Sequence, residues 1–472
     1  MMLNLQKSSL IAATIICLSI PVYASASASA SNEQAAKPGG DATGRLNYRS
    51  FVEPAKNIPR MEQLDFWDGF SFFRDPWVAS PSITRDRDGL GPLFNARSCK
   101  TCHADGGRGR PSKHGEIAEP ALLFRFLQAN ASKGDSRYGG QLQPLAIRLS
   151  HEKLTKPVQG EAQVRVFYDE ITGHYADGET YTLRKPRYEI ENLAYGPLDK
   201  GTYLSARYAP AVYGMGLLDA IQETDLLSLE DINDANNDGI SGKYNQVIDE
   251  VSGEKHIGRF GFKGLHSSLE QQVAGAFVND IGITNPIFKD ETCLVHQVAC
   301  KQAASVDPDN VLDIPKKLHD LTVYMSQLIA PPPARDLQSS KSKQGQTLFY
   351  KLQCQQCHTP SFTTDTSYQV KALAGQTIWP YTDLALHDMG EGLADKGIEN
   401  LALGSEWRTP PLWGIGLQRR VQGFSAFLHD GRARTIEEAV LWHGGEAQPH
   451  QRKFKSLTKQ QRAALLYFLN QI

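Results

Sequence analysis

Charge of one sign and long hydrophobic runs are missing from this chain, and cysteine and methionine are scarce. Its 50 lysines and arginines face 52 aspartates and glutamates, so nothing in the balance calls for nucleic acid or an anionic membrane as partner. The apolar run from Leu10 to Val22 is too short for a membrane span. With only seven cysteines in 472 residues, any patterned pair is informative. A thioredoxin-like redox pair would follow a strand in a βαβ context, and a zinc knuckle would need a second ligand pair at matching spacing. Neither pattern occurs.

What does occur is Cys354-Gln355-Gln356-Cys357-His358, with a twin at Cys99-Lys100-Thr101-Cys102-His103. C-x-x-C-H is the attachment sequence of c-type haem: two thiols add across the vinyl groups, and the adjacent histidine ligates the iron from one side. On composition alone, one chance match has a probability of about 0.003 and two of about 0.00001. Two covalently bound haems are therefore expected, on Cys99, Cys102 and Cys354, Cys357, with His103 and His358 as iron ligands.

The N-terminus has the layout of an exported protein. Lys7 precedes the apolar run, and a Ser/Ala tract follows, with cleavage expected near Val22-Tyr23-Ala24. Residues 1–24 read as a signal peptide, and no stable membrane span is expected after its removal. Export to the periplasm or beyond agrees with the haem motifs, since c-type haem is attached outside the cytoplasmic membrane. In that oxidising setting Cys293 and Cys300 can close a short loop as a disulfide, with free or metal-binding thiols as the alternative. Residues 25–58, rich in Ala, Ser, Gly and Pro, read as a disordered tether.

The fold expected is mainly α with a β-rich insertion, built around two cytochrome c-like haem domains. The first spans 59–335 and carries the insertion at about 120–260; the second spans 336–472. Alternation in Gln163 to Tyr168 and Tyr181 to Arg184 suggests strands, joined by turns such as Thr172-Gly173 and Asp177-Gly178. Helices are expected over Leu269 to Asp280 and Lys316 to Ile329, the latter stopped by Pro331-Pro332-Pro333, which marks a linker. In the second domain Gly345, Leu348, Phe349 and Leu352 share a helical face. A closing helix capped by Thr458 and Gln461 presents Ala464, Leu465, Phe468 and Leu469, and Gly345 allows close approach. The loop Asp234 to Ser241 has the oxygen spacing of a calcium loop, but its twelfth position is Asn245 where a bidentate Glu is expected. Calcium and an ordinary Asx-rich turn both fit.

The sixth position on each iron separates electron transfer from small-molecule chemistry. For the second haem Met389, in a Gly-rich loop downstream of His358, is the first candidate, with His387, Glu406 and His443 behind it. For the first haem no ligand stands out, although Met215 occurs in a Gly-flanked segment. The aromatics Phe66, Trp67, Phe70, Phe72 and Phe73 line a macrocycle or form plain core. Arg108 and Arg110 are candidates for the propionates or a solvated basic turn. His429-Asp430-Gly431-Arg432 reads as a structural turn.

Asp88 to Pro111, Arg259 to Lys263, Asp280 to Thr284, the second haem motif, Leu386 to Asp395, Glu406 to Gly414 and Phe427 to Ala447 together resemble the di-haem oxidoreductase family. That family is labelled a peroxidase and is also called a two-haem thiol oxidoreductase. The carboxy-terminal half is similar, more distantly, to bacterial di-haem cytochrome c peroxidases and to the methylamine-utilisation di-haem enzymes. The resemblance implies a peroxidase-like oxidoreductase passing electrons between its haems. A small redox protein or quinol-linked donor would supply them, and peroxide or another small oxidant would accept them. A non-enzymatic electron carrier is the alternative. Where those peroxidases place methionine, or the methylamine-utilisation enzymes tyrosine, this chain has Glu406. Purified protein from a host competent in cytochrome maturation is expected to give a pyridine haemochrome of two equivalents after acid-acetone washing; one or none would contradict the motif reading.

Overall fold

The computed structural model describes residues 32–128, 134–148, 156–304 and 313–472. The expected signal peptide lies outside them. Among the described residues no helix is long and apolar enough to cross a membrane.

About 30% of the chain is helical and 18% is strand, which overturns the expectation of a mainly α fold. The strands form six separate two-stranded antiparallel sheets among the described residues. The physical reason lies in the 40 glycines and 25 prolines, which interrupt helical stretches throughout. Even the haem motifs hold only single turns, an α-turn at Cys99–Cys102 and a 3-10 turn at Cys354–Gln356.

Where helical periodicity is strong the structure follows it. Helix Leu269–Ala276 is capped by Ser268, whose side chain accepts from Gln271 N, and then widens into a π-turn over Phe277–Ile281. Helix Lys316–Leu328 begins after Pro315 and buries Val323, Met325 and Leu328. It packs along helix Glu62–Arg74, where Gly69 lets the Leu321 carbonyl come so close that a Cβ would stand 2.2 Å from it. In the carboxy-terminal half, helix Ser340–Lys351 crosses the closing helix Lys459–Leu469. Thr458 and Gln461 form both bonds of the capping box there.

The β-rich region contains two principal pairings. Leu122–Gln128 pairs with Thr202–Tyr208. Gln163–His174 pairs with Thr180–Glu191 in a long hairpin that turns at Asp177-Gly178. Thr172-Gly173 is not a turn but strand, and the Tyr181 ring covers Gly173 where a side chain would have stood. The hairpin tip reaches the carboxy-terminal helices: Tyr175 and Leu183 join their apolar cluster, and Arg462 pairs with Asp177 and Glu179.

Among the described residues the core forms four apolar clusters. The largest combines Phe51 and Val52, Leu217 and Leu218, Met325 and Leu328, and Leu373 with Trp413. Residues placed in the expected tether thus contribute Ala35, Ala42, Phe51, Val52, Ala55 and Ile58 to the buried interior. Their low apolar density concealed this, because each docks singly on distant segments. Ala55 N donates to Leu328 O, and Ala330 N to Glu53 O. Pro331 and Pro332 are buried as well, so the segment expected to be a linker is packed between the two halves.

Gly345 shows how tight the helix crossing is. A Cβ there would meet the Ala464 carbonyl oxygen at 2.1 Å and the Phe468 Cβ at 2.6 Å. Gly345→Ala, despite its better helix propensity, is expected to destabilise the protein by about 1–3 kcal/mol through overpacking, measured by chemical denaturation; a neutral or stabilising result would contradict the crossing.

Candidate functional site

A cavity of about 490 Å³ runs through the middle of the molecule and is lined by both C-x-x-C-H motifs. All four motif cysteines are free of disulfides, whereas Cys293 and Cys300 are joined. Burial pushes the Cys99 thiol up to about 12, helped by the Asp280 carboxylate, and burial does the same to Cys354 beside Cys357. A redox pair or zinc thiolate needs the opposite shift.

The histidines are oriented alike. His103 Nδ1 lies 2.7 Å from the Pro210 carbonyl oxygen, and His358 Nδ1 lies 3.0 Å from that of Tyr381. A carbonyl only accepts, so each Nδ1 carries the proton and each Nε2 keeps its lone pair. Burial holds both pKa values down, His358 to about 4. Both rings are therefore neutral and ready to ligate, with the distant carbonyl as the orienting partner that metal-bound histidines use.

Next to His358 stands a second imidazole of the same kind. His443 follows helix Ile436–Leu441, which Thr435 caps by accepting from Glu438 N. Its Nδ1 is 2.7 Å from the Ala439 carbonyl oxygen, and its ring centroid is 6.5 Å from that of His358 at an interplanar angle of 42°. An imidazole nitrogen sits about 2 Å from a bound metal, so two rings sharing one ion from opposite sides have centroids roughly 6 Å apart. At that separation His358 and His443 would both be available to hold one haem iron.

Around His103 the walls differ. Phe73 packs its ring 6.3 Å from the imidazole. Arg108 lines the cavity, donates from Nη2 to the Leu428 carbonyl, lies over the Tyr208 ring and leaves its Nε without a partner. Gly109 permits the close packing, since a Cβ there would fall 1.9 Å from the Ala121 Cβ. Free thiols, two neutral histidines and a buried guanidinium with an unused N–H form a donor set that fits a pair of haems with their propionates.

A profile described as "Di-haem oxidoreductase, putative peroxidase" matches residues 33–117 and 135–472. The chain belongs to the di-haem oxidoreductase family. Haem is the cofactor this membership implies, and oxidation–reduction its chemistry. No curated protein matches significantly. Among solved structures, a chain of Kuenenia stuttgartiensis hydrazine synthase, pressurised with 20 bar xenon, is 13% identical; the match covers 91% of this chain and 95% of that one. Its TM-score of 0.31 is too low to carry an argument.

In this di-haem oxidoreductase the other expected ligands fall in different places. Met389 lines the cavity and packs against the carboxy-terminal core. His387 lines it too, but both nitrogens are taken, Nε2 by Asp383 at 2.9 Å and Nδ1 by Glu446 at 2.9 Å. Burial would lower its pKa, yet Asp383 raises it well above the usual range. A charged imidazole has no lone pair for iron. Glu406 is absent from the cavity wall; Lys243 binds it at 2.7 Å and it accepts from Leu403 N. Met215 lines the cavity. Of the tryptophans, Trp407 and Trp413 reach it. Asp234, in the loop with calcium-like spacing, accepts from the Asp238 and Gly239 amides, and Asn245 is turned into the core, bonded to the Lys263 and Glu399 carbonyls.

Sequence reasoning missed the charged wall between the two motifs. Trp407 stacks on His429 at 3.6 Å, and Lys263 Nζ stands 3.8 Å from its ring centre. Burial brings the Lys263 pKa down to about 7 against the pull of Asp395. Arg207 binds Glu399 at 2.6 Å and Asp395 at 3.1 Å, and Arg125 approaches Glu399 at 3.5 Å. Asp430 is driven up by burial but carried down to about 2 by Arg432 and His429. The His429 to Arg432 turn is thus structural at Asp430 and cavity-lining at His429. Lys263 and His429 lie in segments that carry the family resemblance, whereas nothing in the sequence marks Glu399 or Arg207.

Glu399→Ala would leave Arg207 with Asp395 alone and Arg125 without its carboxylate. Breaking a buried ion pair from one side costs about 3–5 kcal/mol, and a loss near the lower end is expected in chemical denaturation; an unchanged midpoint would contradict the network.

Proposed function

We propose that this di-haem oxidoreductase is an exported peroxidase whose second haem relays electrons to the first, where a small oxidant is reduced. The observation that carries the reading is the close pair His358 and His443, each with Nδ1 on a main-chain carbonyl. Two neutral imidazoles on one iron close it to small molecules and favour electron transfer. On this reading the haem on His103, whose cavity wall includes Met215 and His266, is the one that would meet the oxidant. His443 is preferred to Met389 because its ring lies 6.5 Å from that of His358 and its Nδ1 is already engaged by a carbonyl.

Covalent attachment through Cys99, Cys102, Cys354 and Cys357 is supported by four free thiols in the cavity wall. Export is supported by the N-terminal layout and the Cys293–Cys300 disulfide. When bound, the haems supply reversible one-electron chemistry, and two of them match a two-electron reduction. The protein's part is to fix the imidazoles, exclude solvent with Phe73, Trp407 and Trp413, and hold charge near the irons through Arg108, Arg207 and Lys263. Electrons come from a small redox protein or a quinol-linked donor.

The test is the spin state of each iron in the holo-protein, with peroxide-driven oxidation of a reduced cytochrome. One low-spin and one high-spin ferric signal are expected. His443→Ala is expected to convert the low-spin signal to high-spin and to slow turnover by at least about tenfold. Two low-spin haems indifferent to peroxide and cyanide would make the protein an electron carrier. A low-spin signal that survives His443→Ala but not Met389→Ala would return the ligand to Met389.

A further inference from the structure

Two groups of histidine, cysteine and carboxylate side chains among the described residues bring donor atoms within 4.8 Å of one another. One, Cys357 with Asp383 and His387, belongs to the second haem motif. The other is Glu270 with His319 and Asp320, which lies outside the cavity lining and has no part in the proposed reaction.

Glu270 stands in the first turn of helix Leu269–Ala276, and His319 and Asp320 stand on helix Lys316–Leu328, which packs against it. His319 is 1% exposed, yet among the described residues neither ring nitrogen has a hydrogen-bond partner. A buried polar group left unpaired costs about 1–3 kcal/mol, and native interiors rarely keep one without a use for it. His319 Nδ1 lies 3.7 Å from Asp320 Oδ1, beyond a hydrogen bond but within the spacing of two ligands on one ion. Burial lowers the pKa of the ring, with Asp320 pulling the other way, which favours the form that has a lone pair to give.

The charges around it are unbalanced in the same sense. Burial pushes the Glu270 pKa up; Lys316 opposes that, and Asp320, Asp249 and Asp219 reinforce it. Lys316 Nζ holds the Asp320 carboxylate at 2.9 and 2.8 Å. Its single charge faces two carboxylates that a divalent ion would balance.

We propose that Glu270, His319 and Asp320 form a binding site for a divalent transition-metal ion of the zinc class. One imidazole nitrogen and two carboxylate oxygens, completed by water, match zinc, whereas calcium and magnesium take all-oxygen sets. The ion displaces Lys316 from Asp320 and staples the two helices. Helix Leu269–Ala276 gives Gln272, Val273 and Ala276 to the cavity wall, and helix Lys316–Leu328 gives Thr322 and Ser326. The staple therefore sets the spacing of two walls of the cavity and takes no part in electron transfer.

Calorimetric titration of the EDTA-treated, haem-loaded protein with zinc chloride tests this. One equivalent is expected to bind, and His319→Gln and Glu270→Gln are each expected to weaken binding by about tenfold or more. Lys316→Met, which removes the competing ammonium, is expected to tighten it several-fold. Zinc should raise the Tm of the unaltered protein and not that of Glu270→Gln; Glu270 is only partly buried, so this variant serves should His319→Gln fail to fold. Absence of stoichiometric binding in both the unaltered protein and Lys316→Met, or affinity unchanged by Glu270→Gln, would overturn the proposal.

Discussion

Everything in this molecule depends on main-chain carbonyls that hold imidazole protons. The Pro210 and Tyr381 carbonyls take the Nδ1 protons of His103 and His358, and Ala439 takes that of His443. Each bond fixes a tautomer, turns a ring and leaves Nε2 with a lone pair in a buried, poorly solvated place. Two of these carbonyls come from other segments than their histidine, so the orientation of those rings is set only once the chain has closed around the cavity. The third lies within the turn leading to His443, which makes that ring the most locally determined of the three.

The cavity imposes its own cost on the fold. A chain that walls a large interior space cannot gather its apolar residues in one place, and here they divide into four clusters around it. Short sheets, single helical turns and glycine contacts supply walls that long helices would not fit. Charge is held in those walls by mutual pairing: Arg207 with Glu399 and Asp395, Arg432 with Asp430, and Lys263 with three carbonyls and the Trp407 face. Such pairing holds these three charged groups beside a low-dielectric interior with compensating partners.

Legibility in the sequence varied with the range of the interaction. The capped helix at Thr458, the Asp177-Gly178 hairpin turn and the 293–300 disulfide were readable, because each is settled by neighbours a few residues apart. The balance of helix and strand is not legible from the haem motifs, because glycine and proline break the chain between them into short pieces. The burial of Phe51 and Val52 was hidden by their polar surroundings in sequence. His387 and Glu406 looked like ligands by position, but carboxylates on both His387 nitrogens and Lys243 on Glu406 had engaged them otherwise.

By itself the sequence determined the two C-x-x-C-H motifs and their expectation of attached haem, since thiol and imidazole are adjacent in the chain and need no fold to be neighbours. Only the tertiary structure decided that both motifs open into one cavity, that the rings of His443 and His358 lie 6.5 Å apart, and that Arg207, Lys263 and Glu399 stand in the wall. Those relations join residues whose separation along the chain says nothing about their separation in space, and packing alone brings them within reach.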